Sequence, residues 1–312
     1  MKKVLLYIFI FISTLFFDIW VYADTTLELK EPVIVFDKIA HYGLQGYTVA
    51  KDKLFVVLEG YDDTKSIIKV FDLNTYKEIL SYEYGSLGHA NDVTYNSKNN
   101  KIYVIASSGS DKVFIFNGDT FKYEGTIRIG LPVRSITYIE DYDRYAVRLI
   151  GTGYLYKNDF TLVSKFPFIV GMNLSSEVGR QGWTYYKGLI YYANWSWVSQ
   201  GGTGTNALFI YDLDGNKYTS IYTDESIGEI EGVDFYNNKM ILGFNGYDKK
   251  IKFYVSDIPS VEKETKNQEV IKEEAVIVKK KNYEVYIIIG IVSILVIIVL
   301  VIILRHKKKV IK

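Results

Sequence analysis

Five polar residues recur at nearly equal spacing in this chain and are the side chains best placed to do chemistry. Each opens a similar pentapeptide, in which a long polar residue is followed by a small or short polar one, an apolar one, usually Thr, and another apolar one. They are Gln45, Asn91, Arg134, Gln181 and Glu231, at successive separations of 46, 43, 47 and 50 residues. Amides, a guanidinium and a carboxylate can bind a polar ligand, and a carboxyl group can also act as a general acid or base. These five are therefore candidate ligand-binding residues, and Glu231 is the candidate catalytic residue if the protein is an enzyme.

Self-similarity at a period of this length is typical of β-propeller blades. Each pentapeptide then predicts the innermost strand of a blade. Innermost strands converge on a common axis, so the five leading side chains should meet at one mouth of the central channel. They could bind a ligand there, or they could bond to one another and plug the channel, with Arg134 and Glu231 as an ion pair. The sequence leaves both alternatives open.

The strand pattern predicts an all-β, five-bladed propeller. The blade that begins at Glu231 has three predicted strands and lacks an outer one, whereas a spare strand from Val33 to Asp37 precedes the first blade. We expect this N-terminal strand to complete the last blade and close the ring, because closure removes exposed sheet edges. Six blades are the alternative, if the long connection 170–181 contains further strands.

The composition excludes several classes of function. Lys and Arg number 37 against 36 Asp and Glu, so the formal net charge of +1 does not favour a nucleic-acid partner. The absence of cysteine excludes disulfides and cysteine-ligated zinc. His41 and His89 precede equivalent inner strands but lack a metal-binding spacing, so we predict no metal and no cofactor.

A loop from Trp195 to Asn206 is a second candidate binding region. Trp195 and Trp197 could stack on sugar rings from this Gly-rich segment, or they could simply pack against the protein.

The sequence shows no nucleophile elbow, P-loop or dinucleotide-binding glycine pattern. Glycoside hydrolysis requires two carboxyl groups roughly 5–9.5 Å apart. Only Glu231 opens a pentapeptide with a carboxylate, and Asp92 and Asp234 lie one and three places after such a position. The pattern favours a binding protein and leaves an enzyme open.

Both ends of the chain have the composition of targeting segments. A basic start, an apolar stretch from Val4 to Phe17 and a cleavage site before Asp24 predict a signal peptide, with an uncleaved anchor as the alternative. The 18 uncharged residues from Ile287 to Leu304 nearly span the ~30 Å hydrocarbon core of a bilayer. The predicted organisation is a signal peptide (1–23), a propeller ectodomain (24–258), a charged stalk (259–282), a transmembrane helix (283–305) and a cytoplasmic basic tail (306–312).

The nonapeptide from Gly88 to Asn96, Gly-His-Ala-Asn-Asp-Val-Thr-Tyr-Asn, resembles a block in exported propeller-like proteins of low-GC Gram-positive bacteria. No blade carries the Trp-Asp dipeptide that is typical of WD40 repeats. The apolar run and basic tail resemble the end of a cell-wall sorting signal, but the Leu-Pro-x-Thr-Gly element is missing. We therefore expect retention in the cell membrane and not covalent attachment to the wall, and the predicted signal peptide places the propeller outside the cell and the basic tail inside.

These patterns predict a membrane-anchored extracellular propeller that binds a protein or a cell-surface glycan on its axial face. One alternative is an exported hydrolase or lyase acting on a glycan or phosphoester, with Glu231 as acid or base and Arg134 holding the substrate. The other is a structural scaffold in a surface assembly.

Overall fold

A computed structural model describes residues 25–261, except for 40–41, 61–64, 86, 107–109, 150–151, 168–178, 197–204 and 216. The predicted signal peptide, transmembrane helix and basic tail, most of the stalk, and the candidates His41 and Trp197 lie outside these residues. The described part of the chain has two single-turn 3-10 helices, Glu140–Tyr142 and Glu225–Ile227. No helix in these ranges is long and apolar enough to cross a membrane.

The described strands form five sheets, which are the blades of a propeller. Strands β1 (Thr25–Leu27) and β2 (Ile34–Asp37) come first and join blades that form later in the chain. Blade one contains β3 (Tyr42–Ala50), β4 (Lys53–Gly60), β5 (Lys65–Asp72) and β6 (Lys77–Gly85). Blade two contains β7 (Asp92–Asn96), β8 (Lys101–Ile105), β9 (Lys112–Asn117) and β10 (Tyr123–Arg128). Blade three contains β11 (Ser135–Ile139), β12 (Arg144–Leu149), β13 (Thr152–Lys157) and β14 (Leu162–Pro167). Blade four contains β15 (Gly179–Tyr186), β16 (Leu189–Ser196), β17 (Thr205–Tyr211) and β18 (Lys217–Thr223). Blade five contains β19 (Gly228–Tyr236), β20 (Lys239–Gly246) and β21 (Lys250–Asp257).

The N-terminal strand closes the ring, as the sequence predicts. Strand β2 pairs antiparallel with β21, with Ile34 opposite Phe253 and Phe36 opposite Ile251, and so supplies the missing fourth strand of blade five. The five-bladed prediction is confirmed for the described residues, while most of the connection on which the six-bladed alternative depends lies outside them. Strand β1 was not predicted, and it adds a fifth, parallel strand beside β18 in blade four.

The innermost strands β3, β7, β11, β15 and β19 contact one another in cyclic order, and β19 returns to β3. Large apolar side chains fill the spaces between neighbouring blades. Tyr47 of blade one, for example, donates a hydrogen bond to the carbonyl of Ile241 (3.0 Å), and its hydroxyl accepts one from the amide of Gly243 (2.8 Å). Its ring packs edge-on against Phe253 at 5.1 Å. The ring of Tyr47 is thus buried between two blades, and its hydroxyl group has a hydrogen-bond donor and an acceptor in the neighbouring blade.

The recurring Thr of the pentapeptide has a structural reason. At three of the five junctions between blades, the side chain at the fourth position accepts a hydrogen bond from the backbone N–H of the fifth position in the next blade. Thr94 accepts from Tyr138 at 2.9 Å, and Thr137 accepts from Tyr185 at 2.8 Å. Asp234 of blade five accepts from Val49 of blade one at 2.6 Å, across the point where the ring closes. The repeat therefore encodes a series of bonds between adjacent innermost strands.

Candidate functional site

The propeller axis has two ends. We call the end where the innermost strands begin the start face, which contains Gln45, Asn91, Arg134, Gln181 and Glu231. The end where these strands finish is the exit face, which contains the turns after Ala50, Asn96, Ile139, Tyr186 and Tyr236.

On the start face, β-bulges position three of the five predicted side chains. The register of the innermost pair shifts at Gln45, at Gln181 and at Glu231. A bulge re-aims the side chain of the inserted residue. Glycine follows each of the three, and a Cβ on Gly46 would lie 2.9 Å from the carbonyl oxygen of Ala90. Bulge and glycine together let neighbouring blades approach closely at the axis.

Hydrogen bonds within and between blades hold the start-face residues. Asn91 donates to the carbonyl of Arg134 at 2.9 Å, and the amide of Gln181 donates to Glu229 at 2.8 Å. Asn245 donates to Glu231, and its side-chain oxygen accepts from the amide of Leu44 at 2.9 Å. Asn91, Gln181 and Glu231 are buried, whereas Gln45 and Arg134 are half-buried. Three of the five predicted ligand-binding side chains are therefore held largely by the protein itself.

Glu229 lies two residues before Glu231 and forms a carboxyl pair with it that the sequence analysis did not identify. Burial raises the pKa of Glu229 to about 7, although Lys38 and the bond from Gln181 lower it. Burial, and then the charge of Glu229, raise the pKa of Glu231 well above its ordinary range. A carboxyl that titrates near neutrality is suited to proton transfer. The spacing of two residues on one strand was the signal that could have revealed the pair.

Asp92 occupies a buried position between the two faces and ties three blades together. Its carboxylate accepts backbone N–H groups from Val93 (2.9 Å), Ile136 (2.9 Å) and Trp183 (3.2 Å). Its exposed fraction is only 4 %. Burial raises its pKa well above the ordinary value, while the three backbone bonds and nearby Arg148 lower it. A Cβ on Gly182 would lie 2.6 Å from this carboxylate, so the position requires glycine.

A cavity of about 530 Å³ opens on the exit face and is lined by all five innermost strands. The fourth-position side chains of the pentapeptides form its inner wall: Thr48, Thr94, Thr137, Thr184 and Asp234. The side chains nearer its mouth are Tyr95, Tyr138, Tyr185, Tyr186, Ser97, Glu140, Asp141, Lys187, Asn237 and Asn238. Its size falls within the range of small-molecule pockets. The sequence does not indicate this cavity, because the residues at its mouth are those of ordinary turns.

Asp234 provides a carboxylate in this inner wall. It accepts hydrogen bonds from the hydroxyl of Thr48 (2.9 Å) and the amides of Val49 (2.6 Å) and Phe235 (2.7 Å). Burial raises its pKa to about 6, and these bonds lower it. At the mouth, Tyr185 donates to Asp141, and Lys187 donates to Asn238 at 2.9 Å. The cavity therefore combines hydroxyl groups, carboxylates and tyrosine rings.

Trp195 belongs to β16 and not to the loop in which the sequence analysis placed it. Its side chain is 6 % exposed and packs with Leu208, Ile230 and Phe244 between blades four and five. Packing, the alternative role for this residue, is what the structure shows. No group of three histidine or acidic side chains in the described part of the chain is arranged to hold a metal ion.

No protein-family model and no curated protein matches the chain. Three solved structures illustrate its similarity to known folds. The WD40 repeats of RRP9 are 9 % identical, with a TM-score of 0.42 over 76 % of this chain and 87 % of theirs. A protein of unknown function from Bacteroides caccae is 15 % identical, with a TM-score of 0.42 over 63 % and 73 %. The hydrazine synthase of Kuenenia stuttgartiensis is 10 % identical, with a TM-score of 0.40 over 72 % and 77 %. At these levels the comparisons carry no functional argument.

Proposed function

We propose that this propeller is a binding module that receives part of a glycan or protein in the cavity of its exit face. The observation that carries the proposal is the cavity itself, which is about 530 Å³ in volume and is lined by every blade. Several of its polar groups retain hydrogen-bonding capacity, whereas most of the start-face amides and carboxylates bond to one another. We keep the start face as a second candidate surface, because Gln45 and Arg134 are only half-buried.

Filling the cavity should abolish binding. Thr184 lines it and is partly exposed, so Thr184→Trp should place an indole in the ligand's space. We expect the full-length chain, in a mild detergent, to bind at least one member of a probe panel, and the variant to bind it about tenfold more weakly or not at all. The panel contains chitotetraose, cellotetraose, maltotetraose, a hyaluronan tetrasaccharide and tetralysine, and binding is measured by microscale thermophoresis.

The matched control is Thr126→Trp, which alters an exposed threonine on the outer strand β10 and should bind like the unmodified chain. Equal affinity in Thr184→Trp and Thr126→Trp would contradict the proposal, as would a panel in which no probe binds.

We further propose that the propeller is displayed outside the cell and is held by a C-terminal membrane span. This part rests on the sequence pattern alone: the apolar N-terminal stretch, the run from Ile287 to Leu304 and the basic residues that follow it. A binding module in this arrangement would meet its ligand at the cell surface.

The absence of cysteine makes this topology directly testable. In intact protoplasts of a Gram-positive host, a membrane-impermeant maleimide should label Lys122→Cys, which lies before the outer strand of blade two. Lys312→Cys should react only after permeabilisation, and both variants should sediment with membranes. Labelling of Lys312→Cys in intact cells, or a protein found entirely in the soluble fraction, would contradict the proposed anchoring.

A further inference from the structure

We infer that the ligand of the exit-face cavity is an uncharged carbohydrate whose ring packs against Tyr142 while its hydroxyl groups bond to the threonines and Asp234. This inference rests on the proposed function and specifies the chemical class of the ligand. Three features support this inference: the hydrogen-bond donors and acceptors of the cavity wall, the net charge of the cavity and an exposed aromatic ring near its mouth.

The inner wall presents donors and acceptors side by side. The hydroxyls of Thr94 and Thr137 each accept a backbone N–H, and within the described residues neither donates to an acceptor. Asp234 accepts three hydrogen bonds, while a carboxylate can accept about four. A ligand that fits this wall must accept hydrogen bonds from the threonine hydroxyls and donate one to Asp234. A sugar hydroxyl does both, whereas an ammonium group only donates and a carboxylate only accepts.

The charge of the cavity disfavours an anionic ligand. Three acidic side chains line it, Asp234, Glu140 and Asp141, against one basic side chain, Lys187. Lys187 lies over the ring of Tyr186 at 5.2 Å and donates to Asn238. An acidic sugar or a phosphate would meet net negative charge near a buried carboxylate, which is costly in a partly desolvated site.

An exposed aromatic ring lies on the same short helix as two residues of the cavity mouth. Tyr142 ends the 3-10 helix Glu140–Tyr142, which supplies Glu140 and Asp141 to the lining, and Tyr142 is 60 % exposed. Tyr142 also lies near Tyr185: burial, the bond to Asp141 and then the proximity of Tyr142 raise the pKa of Tyr185. A tyrosine ring offers a flat apolar surface with a polar tip. A sugar ring, with its C–H face and peripheral hydroxyls, matches such a surface.

The experiment measures binding of the same probe panel to two single-residue variants of the full-length chain. Tyr142→Ala removes the exposed ring, and Thr184→Val removes a cavity hydroxyl while preserving the shape of the side chain. We expect a neutral tetrasaccharide to bind, Tyr142→Ala to weaken it by about fivefold to tenfold, and Thr184→Val by about threefold to tenfold. Tyr247→Ala, at an exposed tyrosine between β20 and β21, is the control and should bind normally.

The possible outcomes separate this inference from the proposed function. If tetralysine or the hyaluronan tetrasaccharide binds in preference to the neutral sugars, and Thr184→Trp abolishes that binding, the cavity is a binding site but the carbohydrate inference is wrong. Neutral sugars that bind equally well to Tyr142→Ala, Thr184→Val and the unmodified chain would also overturn the inference. If no probe binds the unmodified chain, both proposals fail.

Discussion

Asp92→Ala should lower the free energy of unfolding by about 3–5 kcal/mol, which would be among the largest effects of a single substitution in this protein. The variant leaves the backbone N–H groups of Val93, Ile136 and Trp183 without their acceptor in a region closed to bulk water. A buried donor that loses its partner costs about 1–3 kcal/mol. Removing the buried charge recovers part of that cost, so the expected total is below the sum of three separate penalties.

Urea denaturation of the full-length chain, followed by tryptophan fluorescence, measures this effect. Asp92→Asn keeps one acceptor oxygen and should fall between the unmodified protein and the alanine variant. Asp257→Ala is the matched control, because Asp257 forms an exposed ion pair with Lys239, and its loss should leave the unfolding midpoint nearly unchanged. A loss below about 1 kcal/mol in Asp92→Ala would show that Asp92 does not hold the blades together.

The second large effect is a decrease in stability as the pH rises, caused by Glu229. Burial raises its folded-state pKa from 4.5 to about 7, so the folded protein holds this proton more tightly than the unfolded chain does. The stabilisation is therefore present below pH 4.5 and is lost as the pH rises to about 7. By linkage this shift corresponds to at most about 3 kcal/mol.

Glu229→Gln tests this assignment, because it retains an oxygen that can accept from Gln181 and removes the titration. The variant should match the unmodified protein near pH 4.5 and exceed its unfolding free energy near pH 7.5. Asp92 and Asp234 also have raised pKa values and are common to both profiles, so the difference between the two pH profiles reports Glu229 together with its charge effect on Glu231. Glu225→Gln, on an exposed residue of the neighbouring 3-10 helix, is the control. If the difference in unfolding free energy between Glu229→Gln and the unmodified protein does not change with pH, the assignment to Glu229 is wrong.

Both predictions concern acidic groups for which the sequence analysis had no role. Asp92 appears in the sequence only as the second residue of one pentapeptide, a position held by Gly or Ser in the other four. The side chain acquires its role when β11 and β15 bring two further backbone N–H groups to it. Glu229 precedes its pentapeptide and accepts a hydrogen bond from Gln181 of the adjacent blade. These contacts join residues that are 44 to 91 positions apart in the sequence, so no local sequence pattern predicts them.

The sequence by itself determined the blades and the manner of their closure. Alternating apolar residues predict strands wherever they occur, and the repeated pentapeptide marks the start of each innermost strand because its Thr makes the same bond in successive blades. The role of the strand from Val33 to Asp37 in closing the ring is predicted because the last blade has only three predicted strands. These features are local or periodic, so they can be predicted without coordinates.

Only the tertiary structure revealed the cavity on the exit face and the bonds that hold the polar side chains of the start face. The leading polar residues have the same types whether they face a ligand or one another. Their hydrogen-bond partners, such as Glu229 of β19 and Asn245 of β20, are set by the tertiary structure. The exit-face cavity consists of threonines and turn residues that are unremarkable individually and form a site only when five strands converge. The shape of a cavity is a property of the assembled ring, and no single blade contains enough of it to be recognised in the sequence.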